Sequence, residues 1–294
     1  MIDNNQLSLH SNLPAMQSGG GTRTSHRWTG EGVHQHNLDT LNLRAIWPSG
    51  GEYDMPIIQG TEFEPSMLAA WNLPAQREKA AEEDGAIHFF LDDYRFESVW
   101  RNPDKYFPRI QLVGAALTPD YSIYAGSPIP TQIWQIYRQR WLGAFWQFNG
   151  IEVIPAVRWG EPNTYDFVFE GLPYGSNIAI GSLGPGSRTP EALLHFERGL
   201  KELIRRINPN KLLVYGKLHV ESEWLNLPPV REYPTWREIA VDRGVPKNKP
   251  KTDSPQEGEE EWPSKTTLHD APPELPLPFA VESSPDSSEP IRLS

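Results

Sequence analysis

The stretch IPTQIWQIYRQRWLGAFWQFNGIEVIPAV, residues 129–157, passes from a helical pattern directly into a strand pattern. Apolar side chains recur over Ile129–Phe148 at close to 3.6 residues per turn, which predicts a helix with one buried face. An Asn-Gly pair ends this periodicity, and the apolar run Glu152–Val157 that follows is typical of a strand. A helix that leads at once into a buried strand indicates an α/β protein with a parallel sheet.

The same alternation continues on both sides of this stretch. A helix is predicted over 189–207, with Thr189 as N-cap, Pro190 at its first position and Asn208-Pro209 at its end. A weaker helical pattern covers Glu64–Lys79. The predicted strands are mostly apolar on both faces, as in a sheet covered by helices. They are Ile87–Leu91, Ile110–Leu117, Glu152–Val157, Asn177–Ser182 and Lys211–Tyr215, with Met55–Gln59 as a weaker sixth.

Strands separated by helices predict βα units with right-handed crossovers and a mostly parallel sheet. The part of the chain with this pattern, residues 45–243, is shorter than the about 250 residues of a complete eight-unit barrel. We therefore predict a single α/β domain built as a short or incomplete TIM-like barrel. The alternative is an open doubly wound sheet.

Composition narrows the class of protein further. The chain has 294 residues, a formal net charge of −11 and no cysteine, which excludes disulfide frameworks, thiolate zinc sites and cysteine nucleophiles. Residues 1–44 and 244–294 are polar and lack apolar periodicity, and the second segment is acidic and rich in proline, so we expect both tails to be disordered. We see no signal peptide and no apolar run long enough to span a membrane, and we expect a cytoplasmic protein without a membrane partner.

Acidic side chains follow several predicted strands, and ligands of parallel α/β folds bind beyond the carboxyl ends of the strands. Asp92 and Asp93 follow the first strand, Asp120 follows the second beside the rigid Pro119, and Glu161 follows the third. These four carboxylates are the candidate catalytic acids and bases. Each also has a structural interpretation, such as a helix cap, an ion pair or a Pro-Asp turn.

Arg140 lies on the apolar stripe of the predicted helix, where an unpaired charge is costly. It needs a carboxylate, for which Asp120 is the candidate, or a ligand anion. Two alternatives stay open: Arg138 could equally be the partner of Asp120, and Arg140 could extend to solvent at the helix edge.

Two further features suggest substrate binding. Trp159, beside Glu161, suits stacking on a sugar or base. The Gly-rich loop before Thr189 suits a phosphate or carboxylate at a helix N-terminus, although a tight turn also explains its glycines. The candidate substrate-binding residues are Arg95, Tyr121, Arg140, Trp159, Gly184, Gly186, Ser187, Arg188 and Tyr215. The sequence indicates no set of metal ligands and no particular cofactor.

Several motifs occur in a fixed order along the chain. They are FFLDDYRFE (89–97), TPDYSIY (118–124), YRQRWLG (137–143), GIEVIP (150–155), FEG (169–171) and VYG (214–216). Over about residues 53–216 they resemble the phage- and plasmid-associated family called domain of unknown function 4417. The resemblance implies carriage on mobile genetic elements and supplies no catalytic residue to carry over.

Our leading functional hypothesis is a hydrolase or transferase that acts on a sugar- or phosphate-containing substrate such as a nucleotide. One alternative is a non-catalytic accessory protein that binds a protein or nucleic-acid partner, which predicts no deep pocket uniting the candidate residues. Another is a metal-dependent nuclease that uses the same Asp residues. The acidic net charge does not favour nucleic acid as the partner but leaves it open.

Overall fold

The structure is a computed structural model that describes residues 40–43, 45–124, 126–182, 189–220 and 225–242. Its strands are β1 Ser49–Gly50, β2 Met55–Pro56, β3 Leu68–Ala70, β4 Ala86–His88, β5 Ala115–Leu117, β6 Glu152–Ile154, β7 Asn177–Gly181, β8 Lys211–Tyr215 and β9 Val230–Tyr233. Its α-helices are α1 Pro74–Glu82, α2 Glu97–Arg101, α3 Pro103–Val113, α4 Ile129–Phe148, α5 Tyr165–Val168, α6 Pro190–Ile207 and α7 Trp236–Asp242. Within these ranges we find no helix with the length and apolar character that a membrane crossing requires.

Strands β3 to β9 are parallel and follow one another in space in the order in which they occur along the chain. A single bridge between Ala156 and Ala179 joins the β3–β6 group to the β7–β9 group. There the Val157 amide donates to the Ala179 carbonyl, and the Ala179 amide donates to the Pro155 carbonyl, both at 2.8 Å. This sequential order is that of a barrel, because the strand order of a doubly wound sheet reverses at a switch point.

The sheet curls so that its first and last strands share one core. One buried cluster takes a side chain from each of the seven strands: Leu68, Ala86, Ala115, Ile154, Ala179, Leu213 and Tyr233. Side chains span the seam between β9 and the segment before β3, where Tyr233 Oη donates to the Pro65 carbonyl at 2.8 Å and Arg231 pairs with Glu64 at 2.7 Å. No backbone pairing joins β9 to β3 in the described ranges, so the barrel is incomplete, as predicted.

The two long helices have the bounds that local sequence signals predict. Helix α4 covers Ile129–Phe148 and packs its buried face on the β3–β6 group. Helix α6 begins after Thr189, whose Oγ1 accepts a hydrogen bond from the Ala192 amide at 3.2 Å, and it ends at Asn208 in the left-handed conformation (φ 48°).

Two predicted elements are wrong. The run Ile110–Leu117 is not one strand, because helix α3 continues to Val113 and ends at Gly114, whose φ is 80°. Only the last three residues of the run form β5. The predicted helix over Glu64–Lys79 is replaced by strand β3 and helix α1, since Pro74 begins a helix at its first position.

Three smaller differences concern the edges of the domain. Met55–Gln59 yields only the two-residue β2, which pairs antiparallel with β1 outside the parallel sheet. Strand β9 was not predicted, because its residues VREY alternate in burial and include two charges. Of the predicted tails, residues 40–43 contact α2, where Asn42 Nδ2 donates to the Trp100 carbonyl at 2.9 Å; residues 1–39 and 244–294 lie outside the described ranges.

Gly199 of α6 lies directly against the indole of Trp159, and a methyl group at this position would overlap Trp159 Nε1. We expect Gly199→Ala to lower the free energy of unfolding by about 1–3 kcal/mol, although alanine favours a helix over glycine by about 1 kcal/mol. Urea unfolding followed by tryptophan fluorescence measures the change. Gly50→Ala is the control, because among the described residues its added methyl group meets only the Ile57 side chain, at 3.6 Å or more, which is an ordinary van der Waals distance. Equal stability of the two variants would contradict the prediction.

Candidate active site

The loops that follow β4, β5 and β6 bring charged side chains together at the carboxyl edge of the sheet. Asp93 follows β4, Asp120 follows β5 and Arg158 follows β6. In barrels of parallel strands this edge is where substrates bind.

Asp120 and Arg158 form the central ion pair of this edge. Arg158 Nε donates to Asp120 Oδ1 at 3.0 Å, and Arg158 Nη2 donates to Asp120 Oδ2. The Asp120 side chain is 3% exposed, whereas that of Arg158 is 43% exposed. The Asp120 carboxylate raises the pKa of Arg158 above its ordinary value, and Asp93 and Tyr124 add smaller contributions in the same direction. The result is a permanent cation that is anchored in the protein and still reaches solvent.

Asp93 joins the loop after β4 to the loop after β5. Its carboxylate accepts hydrogen bonds from the Ser122 amide at 3.1 and 3.2 Å and from Ser122 Oγ at 2.9 Å. A hydroxyl group that donates to a carboxylate has the geometry in which the carboxylate can act as a general base.

A cleft of ≈ 270 Å³ opens beside this edge, between α2, α4 and the loop that carries Ser122 and Tyr124. Arg138 and Glu97 line it together, with Arg138 Nη1 donating to both carboxylate oxygens of Glu97 at 2.8 and 3.0 Å. The Arg138 guanidinium also lies over the Tyr121 ring, 3.9 Å from its centroid. The cleft is therefore polar, but its two strongest charges neutralise each other.

Aromatic rings fill the opening of the curled sheet. The ring centroids of His88 and Tyr215 are 4.4 Å apart, and those of Phe90 and Tyr215 are 5.2 Å apart. Burial raises the pKa of Tyr215, whose hydroxyl accepts a hydrogen bond from the Trp236 amide at 3.1 Å. Burial lowers the pKa of His88 to about 3. At neutral pH His88 is uncharged, and its Nδ1 accepts a hydrogen bond from the Phe90 amide at 3.2 Å.

The lowered pKa of His88 predicts a loss of stability in acid. In the unfolded chain the pKa of a histidine is about 6.5, so between pH 6.5 and about 3 the unfolded state binds a proton that the folded state does not. We expect this contribution to stability to be complete above about pH 6.5 and to fall by up to about 1.4 kcal/mol per pH unit below it.

Urea unfolding at about pH 7, 6 and 5 measures that slope. His88→Gln should flatten it, whereas His195→Gln on α6 serves as the control. The same slope in all three proteins would contradict the prediction.

A family model for a Domain of unknown function (DUF4417) matches residues 47–234, more than half of the chain. This chain belongs to the DUF4417 family. It is 48% identical over 217 residues to the Gene 1 protein of Mycobacterium phage D29, which covers 74% of this chain and 78% of the relative. It is also 48% identical over 216 residues to the Gene 1 protein of Mycobacterium phage L5, with 74% and 92% covered. No solved structure matches.

These matches confirm the family resemblance carried by the sequence motifs, and they show that the chain is a phage-associated protein. The matched range includes every strand of the curled sheet. The names of the family and of these relatives state no activity, so the chemistry of the DUF4417 domain must be inferred from its geometry.

The expected pair between Asp120 and Arg140 is wrong. Arg140 is completely buried, and its guanidinium donates to the Glu170 carbonyl at 3.1 Å, the Val168 carbonyl at 2.7 Å and Gln139 Oε1 at 2.5 Å. Backbone carbonyl groups thus satisfy the charge, and no surface of Arg140 remains for a ligand anion. Asp120 takes Arg158 as its partner instead.

The remaining predicted site residues of the DUF4417 domain lie in varied surroundings. Tyr121 and Trp159 are 2% and 9% exposed, so both present little surface to a ligand. Asp92 is exposed and pairs with Arg95 at 3.3 Å. Glu161 is exposed and accepts a hydrogen bond from the Gly126 amide at 3.4 Å. Gly184, Gly186, Ser187 and Arg188 lie outside the described residues.

Sequence reasoning missed Arg158 and Ser122 as site residues. Arg158 directly follows the predicted strand Glu152–Val157, and Ser122 lies in the loop after the predicted strand Ile110–Leu117, so their positions carried a signal. The sequence carries no signal for the pair of Glu97 and Arg138, because the two residues are 41 positions apart. In the parts of the chain that the structure describes, no group of three or more His, Asp or Glu side chains could hold a metal ion.

Proposed function

We propose that this DUF4417 domain is a hydrolase or transferase that acts on a sugar- or phosphate-containing substrate at the carboxyl edge of the sheet. Arg158 binds the anionic part of the substrate. Asp93 acts as general base toward the Ser122 hydroxyl, or toward a water molecule in its place. Asp120 is a positioning residue that holds the Arg158 guanidinium.

The observation that carries this proposal is the hydrogen bonding and solvent exposure of the Arg158 guanidinium. Its Nε and Nη2 bind Asp120, and within the described residues Nη1 has no hydrogen-bond partner. A planar guanidinium that is fixed on one side and open to solvent on the other is suited to bind a carboxylate or a phosphate. The buried Asp120 fixes this orientation before a ligand arrives, which lowers the entropy that binding must overcome.

The position of Asp93 supports the catalytic part of the proposal. Asp93 interacts electrostatically with Arg158 and accepts the Ser122 hydroxyl hydrogen bond. A nucleophile, a base and a cation therefore meet at one edge. This is the minimum set for transfer of an acyl, glycosyl or phosphoryl group.

The test combines ligand binding with turnover. A panel of nucleotides and sugar phosphates is screened for a rise in melting temperature and for release of phosphate, base or sugar. We expect Asp93→Asn to reduce turnover by about 10²- to 10⁴-fold, because a general base contributes that much to a rate. Arg158→Gln should abolish the ligand-dependent rise in melting temperature.

Two exposed ion-pair residues far from this edge supply the matched controls, Asp166→Asn and Arg205→Gln. Turnover that survives in Asp93→Asn would contradict the catalytic assignment. Binding without any turnover would favour the accessory-protein alternative, and turnover that EDTA abolishes would favour the metal-dependent nuclease.

A further inference from the structure

We infer that the cleft between α2 and α4 is a subsite for a nucleobase, which makes a nucleotide the substrate of the DUF4417 domain. This inference rests on the proposed function, because it assigns the phosphate of the same ligand to Arg158. Ser122 connects the two sites: it lines the cleft and donates a hydrogen bond to Asp93, whose carboxylate interacts electrostatically with Arg158.

Charge neutrality of the cleft argues for an uncharged ring rather than a second anion. Among the described residues that line the cleft, the only cation and the only carboxylate are Arg138 and Glu97, which bind each other through two hydrogen bonds. The Arg138 guanidinium is therefore committed, and a phosphate would meet the Glu97 carboxylate as well. A neutral base meets no such repulsion.

The aromatic walls of the cleft suit a flat ligand. Tyr124, which is 67% exposed, and Trp134 both line the cleft. Trp134 is held in place by stacking on Tyr137, with centroids 5.7 Å apart and planes 12° apart. Nucleobases stack on such rings, and each stacked base contributes measurably to affinity.

Hydrogen-bonding groups with spare capacity line the same cleft. Gln135 Oε1 accepts a hydrogen bond from Arg138, which orients the Gln135 amide, and Nε2 donates to the Ser122 carbonyl at 3.5 Å. An amide nitrogen has two hydrogens, so Nε2 can donate a second hydrogen bond to a ligand. Gln132 and Arg138 are 3% and 7% exposed, and Gln132 Oε1 and Arg138 Nε have no hydrogen-bond partner in the described residues. Buried polar groups without partners are uncommon in proteins. Because both atoms are closed to solvent, they fit an ordered water beneath the cleft surface rather than direct contact with a base.

The size of the cleft limits what it can hold. Its ≈ 270 Å³ lies just below the about 300–1,000 Å³ of pockets that enclose a whole small ligand. A base therefore fits, and the ribose and phosphate extend past Ser122 and Tyr124 toward Arg158.

Titration calorimetry on the full chain tests the subsite without any requirement for turnover. The probes are the four ribonucleoside 5′-monophosphates and ribose 5-phosphate, which lacks a base. We expect at least one nucleotide to bind roughly tenfold or more tightly than ribose 5-phosphate, as stacking of one base provides. Tyr124→Ala should remove that advantage, so that nucleotides and ribose 5-phosphate bind this variant with equal affinity.

Tyr174→Ala is the matched control, because Tyr174 is 72% exposed and lies outside the cleft. Gln135→Glu keeps the oxygen that Arg138 binds and removes the Nε2 donor, so it should change the order of affinity among the four bases. Equal affinity for ribose 5-phosphate and all nucleotides overturns the subsite, and so does equal nucleotide affinity of Tyr124→Ala and Tyr174→Ala.

The two proposals fail in different ways. Binding of ribose 5-phosphate that depends on Arg158, without any gain from a base, overturns the subsite and leaves the proposed function in place. A base-dependent gain that Tyr124→Ala removes, in a protein that shows no turnover, supports the subsite and contradicts the catalytic assignment.

Discussion

Replacement of Arg140 by methionine is expected to lower the free energy of unfolding by about 3–5 kcal/mol. The side chain is completely buried in α4, and burial lowers its pKa to about 9, so it remains charged at neutral pH. Methionine fills a similar volume but donates no hydrogen bond. The carbonyl groups of Val168 and Glu170 would then be buried without their present donors.

The same substitution should disturb the candidate active site indirectly. Arg140 binds Gln139 Oε1, and Gln139 Nε2 donates to the Pro119 carbonyl at 2.7 Å, immediately before Asp120. Urea unfolding measures the stability change, with Arg205→Met as the control, since Arg205 is 60% exposed and such sites change stability by less than about 0.5 kcal/mol. A loss below about 1 kcal/mol in Arg140→Met would show that the surrounding carbonyl groups find water or other donors.

Local signals explain which elements the sequence predicts well. Helices α4 and α6 carry both their periodicity and their end signals within the helix and its immediate neighbours, such as Thr189 and Asn208. The apolar run Ile110–Leu117 carries no such marker apart from Gly114, and an apolar helix end is indistinguishable by composition from a buried strand. Strand β9 is held by β8 and by the seam to Glu64, neither of which is local.

The candidate site likewise contains residues that local sequence signals predict and residues that only distant contacts position. The rule that ligands bind at the carboxyl ends of parallel strands correctly directs attention to the loops of Asp93 and Asp120. The sequence also shows that Arg140 requires partners. It does not show which ones, because the carbonyl groups of Val168, the last residue of α5, and of Glu170, in the turn after it, are positioned by backbone geometry. Arg158 is 38 residues from Asp120, and only the pairing of β5 with β6 brings them together.

Arg158→Met is expected to lower the free energy of unfolding much more than Asp120→Asn, although both substitutions break the same ion pair. Loss of Arg158 leaves the Asp120 carboxylate, which is 3% exposed, buried and unpaired, at a cost of about 3–5 kcal/mol. Loss of the Asp120 charge leaves a guanidinium that is 43% exposed and can turn to water, so about 1 kcal/mol is expected.

The double variant gives a second test, because the added substitution is expected to increase the free energy of unfolding rather than lower it. When Asp120→Asn is added to Arg158→Met, the buried charge disappears, and stability should rise by about 1–3 kcal/mol relative to Arg158→Met alone. Urea unfolding at neutral pH measures all four proteins of the cycle. Additive losses would mean that Asp120 is hydrated without Arg158 and does not fix the guanidinium in advance. The rescued double variant still lacks the Arg158 cation, so under the proposed function it should fold and yet show no rise in melting temperature with nucleotides or sugar phosphates.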